Sequence, residues 1–156
     1  MTLVPAVAVR ALHLLAVALL LGGAGLTWLQ FRRVAGSASS DPTTIAAPAL
    51  SLAEQYEWVF WLAVGVVALT GVGNLGAMAP AIPTEGAWTR TLVVKLGFLL
   101  AFLVASVWRT LVVVRTRSVA GGAPTARSVG VLRWSYAGTT AVLVTLLALA
   151  EVLAHG

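Results

Sequence analysis

Hydrophobic residues fill four long stretches of this chain, at about 11–29, 58–79, 92–114 and 136–153, and polar residues gather between them. Each stretch approaches the ~20 residues that a helix needs to cross a hydrocarbon core about 30 Å thick. A lipid-facing backbone must satisfy its own hydrogen bonds, so the stretches predict helices rather than strands. With their flanks, the helices are expected at about 6–30, 52–79, 89–116 and 129–154. The pattern predicts an all-α integral membrane protein, a four-helix bundle with up-down-up-down topology.

Composition narrows the picture to one transmembrane domain spanning residues 1–156. Hydrophobic residues make up 60% of the chain, and the polar connections are too short to form a soluble catalytic domain. The chain has no cysteine, which excludes disulfides, thiolate metal sites and cysteine nucleophiles. Its net charge of +5 is interpreted as arginines that set membrane topology, so the expected surroundings are a lipid bilayer and not a nucleic acid.

The arginines also predict an orientation. Seven of them are assigned to the connections between helices 1 and 2 and between helices 3 and 4, against two that precede helices 1 and 3. Positive charge marks the cytoplasmic side of a membrane, so the loops 30–54 and 109–133 are expected in the cytoplasm and both termini outside it. The seven are Arg32, Arg33, Arg109, Arg115, Arg117, Arg127 and Arg133, and the two are Arg10 and Arg90.

Two features near the predicted cytoplasmic ends are interpreted as structural. Most Trp and Tyr residues lie there and predict an aromatic belt at the headgroup level: Trp28, Tyr56, Trp58, Trp61, Trp108, Trp134 and Tyr136. Ser51 and Glu54 have the spacing of a capping box and predict the start of the second helix. Glu54 and Glu57 are expected to pair with arginines nearby, for which Arg32, Arg33, Arg109 and Arg133 are available.

Five polar or sulfur-containing residues are predicted to share one layer below the extracytoplasmic surface: His13, Met78, Lys95, Glu151 and His155. Ionisable groups at membrane depth are costly unless paired, so they often mark a site. Lys95 and Glu151 form the natural charge pair. Two alternatives stay open: Lys95 and Arg10 can extend to lipid phosphates, and His155 can belong to a frayed tail. His13 is equally compatible with a structural hydrogen bond and with a metal or haem ligand.

Small residues offer a second cofactor signal. Gly22 and Gly25 give the first helix a flat patch, which favours close packing of a neighbouring helix. The alternative is a groove that admits a flat cofactor.

Short motifs in the first and third helices resemble two families of membrane proteins. The run from Arg10 to Ala16, which contains Leu-His-Leu-Leu, with a later Leu-Gly-Gly, resembles the first helix of the CopD copper-resistance family. The segment from Trp88 to Leu96, which ends in Lys-Leu, resembles that family's Gly-Arg-Leu-Leu-Leu-Leu-Lys-Leu pattern. His13 and Lys95 also match the pattern of the HemJ protoporphyrinogen-oxidase family. These resemblances imply a bacterial cytoplasmic (inner) membrane protein linked to copper or to haem b.

Three functions follow from these observations. In the first, a CopD-like protein binds or translocates copper at the outer membrane face through His13, Met78 and His155, and receives it from a periplasmic metal donor. In the second, His13 is the axial ligand of a b-type haem, Gly22 and Gly25 accommodate the macrocycle, and Arg10 and Lys95 hold its propionates.

In the third, the chain is a non-catalytic accessory subunit that packs against other membrane subunits. No Ser-His-Asp set or pair of carboxylates shares a predicted layer, so an enzyme is not expected.

Overall fold

The structure, a computed structural model, describes residues 3–36, 42–78, 86–119 and 125–155. These residues form four α-helices: α1 (Leu3–Gly36), α2 (Pro42–Met78), α3 (Ala87–Val119) and α4 (Ala126–His155). Each helix contains a segment long and apolar enough to cross a membrane. The predictions of an all-helical fold with four apolar spans are confirmed, and the helices indicate a multi-pass protein in contact with lipid.

The helices are longer than the hydropathy pattern predicts, most clearly at the start of α2. This helix begins at Pro42 and not near residue 52, so the capping-box interpretation of Ser51 and Glu54 is wrong. Proline fits the first turn of a helix, where its missing N–H has no helical partner. The added turns are held because Leu50 and Ala53 are fully buried. Much of the predicted loops 30–54 and 109–133 is therefore helical.

Helix packing is uneven around the bundle. α1 packs most extensively on α2 and next on α4, α3 packs on α4, and the seam between α2 and α3 is the thinnest of the four. Aromatic rings fill the centre: Phe31 stacks on Tyr136 with ring centroids 5.9 Å apart, and Phe60 meets Phe102 at 5.7 Å.

Burial divides each helix into two parts. The closed half is defined here as residues 16–36, 42–63, 102–119 and 125–143, and it contains every hydrophobic side chain that is buried among those the structure describes. The open half is residues 7–15, 64–73, 89–101 and 144–152. Within these described residues Thr70 is the only buried side chain. The core thus ends partway along the bundle, and beyond it the inward faces of the helices are only partly covered.

Gly23 allows the closest approach between α1 and α2. A Cβ at this position would overlap the ring of Tyr56, whose hydroxyl donates to the Leu20 carbonyl at 2.7 Å. The ring is enclosed by the Tyr136 and Phe60 rings and has little freedom to move aside. The contact therefore requires glycine.

We expect Gly23→Ala to lower the free energy of unfolding by about 1–3 kcal/mol, because the added methyl group overpacks a filled core. Gly25→Ala is the matched control, since a Cβ there meets nothing within 4 Å. That substitution should leave stability unchanged or raise it by up to about 1 kcal/mol through helix propensity. Denaturant unfolding in detergent, followed by circular dichroism, measures both. Equal effects of the two substitutions on stability would contradict the conclusion that the contact between Gly23 and Tyr56 requires glycine.

Candidate functional site

His13 on α1 is held by a hydroxyl of α2. Its Nδ1 lies 2.7 Å from the Thr70 Oγ1, and that hydroxyl donates its own proton to the Val66 carbonyl at 2.6 Å. Because the threonine proton is already used, the hydroxyl accepts from Nδ1–H. In the neutral ring, Nε2 then carries the lone pair and faces away from Thr70. The imidazole is half-buried, and its Cε1 lies 3.9 Å from the position of a Cβ on Gly71.

Lys95 on α3 is half-buried, and its charge interacts electrostatically with His13. Both residues belong to the open half. The two residues on which both family resemblances depend thus lie in the same half of the bundle.

The other predicted cofactor residues are more dispersed. Arg10 is exposed on α1, about one turn before His13. Gly22 and Gly25 follow His13 by 9 and 12 residues, which places them about 14 and 18 Å along the helix axis. Neither has a neighbour within 4 Å of an added Cβ. The glycines thus do not adjoin the imidazole.

The proposed copper ligands on α2 and α4 are only partly described. Met78 and His155 are the last residues of their helices, and their side chains lie outside the described residues. The ligand set of His13, Met78 and His155 stays a prediction. Glu151 is exposed on α4, and its pairing with Lys95 also stays a prediction. Within the described ranges, no three His, Cys, Asp or Glu side chains form a group that could hold a metal ion.

A second polar cluster lies deep in the closed half. Glu57 of α2 and Arg109 of α3 form a bidentate ion pair, with Nε–Oε1 at 2.8 Å and Nη2–Oε2 at 3.1 Å. Arg109 is 1% exposed and Glu57 is 5% exposed. Removal of both charges from water is costly, and the two parallel hydrogen bonds compensate for part of that cost.

Hydroxyl groups from two helices complete this cluster. Tyr136 of α4 donates to Glu57 Oε1 at 2.7 Å, and Thr110 of α3 donates to Oε2. Arg109 Nη1 donates to Thr139 of α4 at 2.6 Å. Both carboxylate oxygens are thus occupied by donors, so the cluster joins α2, α3 and α4 and does not present a free base.

Aromatic rings surround the guanidinium. Its central carbon lies 4.3 Å from the Phe60 ring centroid, 5.1 Å from that of Tyr136 and 5.8 Å from that of Tyr56. The negative faces of such rings attract a cation, most strongly where water is excluded. The rings therefore stabilise the arginine at the positions where carboxylate and hydroxyl oxygens do not reach it.

The cluster corrects two sequence interpretations. Arg109 was counted among the arginines of the cytoplasmic loop that set topology, but it is buried within α3 and paired with Glu57. Tyr56 and Tyr136 were expected in an interfacial belt, but both are buried. The interpretation of Glu57 as a structural partner of a nearby arginine is confirmed. Glu54 pairs with Arg117, 3.6 Å away, and both side chains are 48% exposed.

No protein-family model matches this chain, and no curated protein or solved structure shows significant similarity to it. The resemblances to the CopD and HemJ families stay predictions, and function must be argued from the site itself.

We expect Arg109→Leu to lower the free energy of unfolding by about 3–5 kcal/mol, because it leaves the Glu57 carboxylate buried without a counter-charge. Arg117→Leu removes the exposed pair with Glu54 and should cost less than about 1 kcal/mol. Unfolding of both variants in the same detergent tests the difference. Similar losses of stability would show that the buried pair contributes no more to stability than the exposed pair, which would contradict this expectation.

Proposed function

We propose that this chain is a multi-pass protein of the bacterial cytoplasmic membrane that binds haem b in its open half, with His13 as the axial ligand. The observation that carries the proposal is the imidazole itself. Its Nδ1 is bonded to Thr70, so in the neutral ring Nε2 is the nitrogen whose lone pair is left for a metal. Imidazoles that bind metals are held in this way, with the second nitrogen bonded to a neighbouring acceptor.

The proposed arrangement in the membrane is up-down-up-down, with both termini outside the cytoplasm. The five residues 37–41 extend over at most about 18 Å, whereas a helix as long as α1 extends over about 51 Å. We infer that α1 and α2, which pack on each other, run in opposite directions. Arginines at the ends of the closed half, such as Arg33 and Arg117, favour the cytoplasm for that half. The open half then faces the extracytoplasmic side.

Charge favours haem over a lone copper ion at this position. Haem b has two propionates, and Lys95, which lies in the same half as His13, would supply a cation for one of them. Arg10, one turn from His13, is placed to bind the other. A bare cuprous ion at the same imidazole would instead be repelled by the Lys95 ammonium. When bound, haem iron supplies one-electron chemistry tuned by its axial ligand.

The open half also suits a large flat ligand. Its described side chains on α1, α3 and α4 include no fully buried residue, so its helix faces can cover a macrocycle without displacing a packed core.

Copper binding is the second candidate, and one observation supports it. Phe31 of α1 stacks on Tyr136 of α4, so these two residues lie at one level. If the two helices are antiparallel, 18 residues from Phe31 towards the start of α1 lead to His13, and 18 residues from Tyr136 towards the end of α4 lead to position 154. His155 would then be level with His13, as a two-histidine copper site needs. Met78 is less favourably placed, since it follows Thr70 by eight residues, or about 12 Å.

Purification of the full chain in mild detergent, with absorption spectra and metal analysis, tests the proposal. We expect a Soret band from the wild type and its loss in His13→Ala. Thr70→Val should weaken haem binding by about 10- to 100-fold, because it removes the acceptor that orients the ring. Thr116→Val, which removes a hydroxyl that only bonds the Val112 carbonyl, should leave it unchanged.

Other results would assign the site differently. Colourless protein with stoichiometric copper that is lost in His13→Ala would replace haem by the second candidate. Protein with neither cofactor and with co-purifying membrane subunits would overturn both and favour an accessory subunit.

A further inference from the structure

Two arginines of the closed half lie against tryptophan rings, one on α1 and one on α4. The guanidinium carbon of Arg32 is 5.8 Å from the centroid of the Trp28 ring, and that of Arg133 is 5.2 Å from the Trp134 ring. An aromatic face attracts a cation at such distances. Arg32 is exposed and Arg133 is half-buried, so both cations stay close to their helices and still reach the surface.

The two arginines lie at nearly the same level of the bundle. Phe31 of α1 stacks on Tyr136 of α4. Arg32 follows Phe31 by one residue, and Arg133 precedes Tyr136 by three. With the helices running up-down-up-down, as proposed above, both steps lead toward the cytoplasmic end, by about 1.5 and 4.5 Å. The levels of the two arginines on their helices therefore differ by only about 3 Å.

On α1, Arg32 lies at the lipid-facing edge of the seam with α4. A helix turns by about 100° per residue. Gly23 faces Tyr56 of α2, and measured round α1 from Gly23 the buried Phe31 lies at about 80°. Trp28 follows at about 140° and packs against the core, and Arg32 lies at about 180°. Arg32 is thus on the side of α1 opposite α2, just beyond the face that meets α4.

Arg133 has the corresponding place on α4. Thr139 accepts a hydrogen bond from Arg109 and so faces α3. Measured round α4 from Thr139, Tyr136 lies at about 60° and Arg133 at about 120° in the same sense. Arg133 is thus past the face that contacts Phe31. The two arginines therefore flank the outer, lipid-facing side of one seam, where α1 and α4 pack on each other.

The described acids of the closed half do not neutralise these cations. Glu54 and Glu57 are the acidic side chains that the structure describes there, and they pair with Arg117 and Arg109. Guanidinium groups bind phosphate through parallel hydrogen bonds, which makes arginine a favoured phosphate ligand. The charge at this seam is therefore complementary to an anionic phosphate group.

Small residues extend from the two arginines toward the middle of the bilayer. Gly25 precedes Arg32 by seven residues, and Ala137 follows Arg133 by four. These spacings place each small residue on the same face of its helix as the arginine. Both are half-buried, and a Cβ on Gly25 would meet nothing within 4 Å. The outer side of the seam thus has room for a hydrocarbon chain beside the phosphate-binding groups.

We propose that the cytoplasmic end of the seam between α1 and α4 is a binding site for an anionic phospholipid. Its phosphate contacts Arg32 and Arg133, and one acyl chain lies along Gly25 and Ala137. Basic groups between helices at the cytoplasmic surface attract anionic lipids. Arg32 follows His13 by 19 residues, or about 28 Å along the helix, so this site is separate from the proposed haem site and does not depend on it.

Native mass spectrometry of the full chain in non-ionic detergent tests the site. Phosphatidylglycerol is the probe, and phosphatidylcholine, which has no net charge, is the reference lipid. Arg32→Gln with Arg133→Gln removes both proposed contacts. Arg33→Gln with Arg127→Gln is the matched control, because it removes the same charge from the same two helices. Those arginines are exposed and lie about 100° and 120° round their helices from the proposed contacts.

We expect the wild type to bind phosphatidylglycerol about tenfold or more tightly than phosphatidylcholine. The variant lacking Arg32 and Arg133 should lose about 10- to 30-fold in affinity for phosphatidylglycerol, because each cation near the lipid surface adds to the attraction. The control should lose less than about threefold. Equal losses in the two variants would overturn the site, since net charge alone would then attract the lipid. A wild type without preference between the two lipids would also overturn it.

Tryptophan fluorescence in lipid vesicles locates the lipid without any change to the arginines. Brominated acyl chains quench nearby indoles, and we expect brominated phosphatidylglycerol to quench the wild type more than brominated phosphatidylcholine at the same mole fraction. Trp28→Phe with Trp134→Phe should reduce this excess about twofold or more. Trp58→Phe with Trp108→Phe, which alters exposed rings on α2 and α3, should preserve it. The same excess in both variants would place the lipid elsewhere and overturn the site.

Discussion

The ion pair between Glu57 and Arg109 is the interaction on which the fold depends most. No water is available inside a bilayer to solvate a separated charge, so either residue alone would disfavour insertion of its helix. Together, the two charges neutralise each other. Hydroxyl groups of α3 and α4 form hydrogen bonds with the pair, and three aromatic rings lie against the guanidinium. Apolar helices in lipid have no strong hydrophobic force to hold them together. Directional polar contacts of this kind therefore fix which helices meet and in which register.

Hydropathy was sufficient to predict four helices but not their contacts. A stretch of apolar residues long enough to cross a membrane has few alternatives to a helix, whereas its inward face depends on packing that hydropathy does not encode. The early start of α2 was missed because the alanines and Leu50 of 46–53 gain stability only when buried by other helices. A capping box indicates where a helix can begin, but tertiary packing outweighs it.

Arg109 illustrates the same limit. The apolar run Leu111 to Val114 extended the predicted third helix past it, yet it was still counted among the arginines of the cytoplasmic loop. Its burial and its pairing with Glu57 depend on how α2 packs on α3, which hydropathy does not encode. At the other end of the bundle, His13 and Lys95 were predicted at one level from their positions in the first and third helices, and both lie in the open half. Thr70 was not predicted as the partner of His13, because a threonine within an apolar helix usually bonds its own backbone.

The account rests on strong coupling between Glu57 and Arg109, and a double-mutant cycle with Glu57→Gln, Arg109→Leu and the combined variant measures it directly. Free energies of unfolding in one detergent should show that the combined variant is more stable than the sum of the single losses predicts, by about 2 kcal/mol or more. That result would mean that the two side chains act as one buried unit. Losses that add to within about 0.5 kcal/mol would show two independent residues and contradict the account.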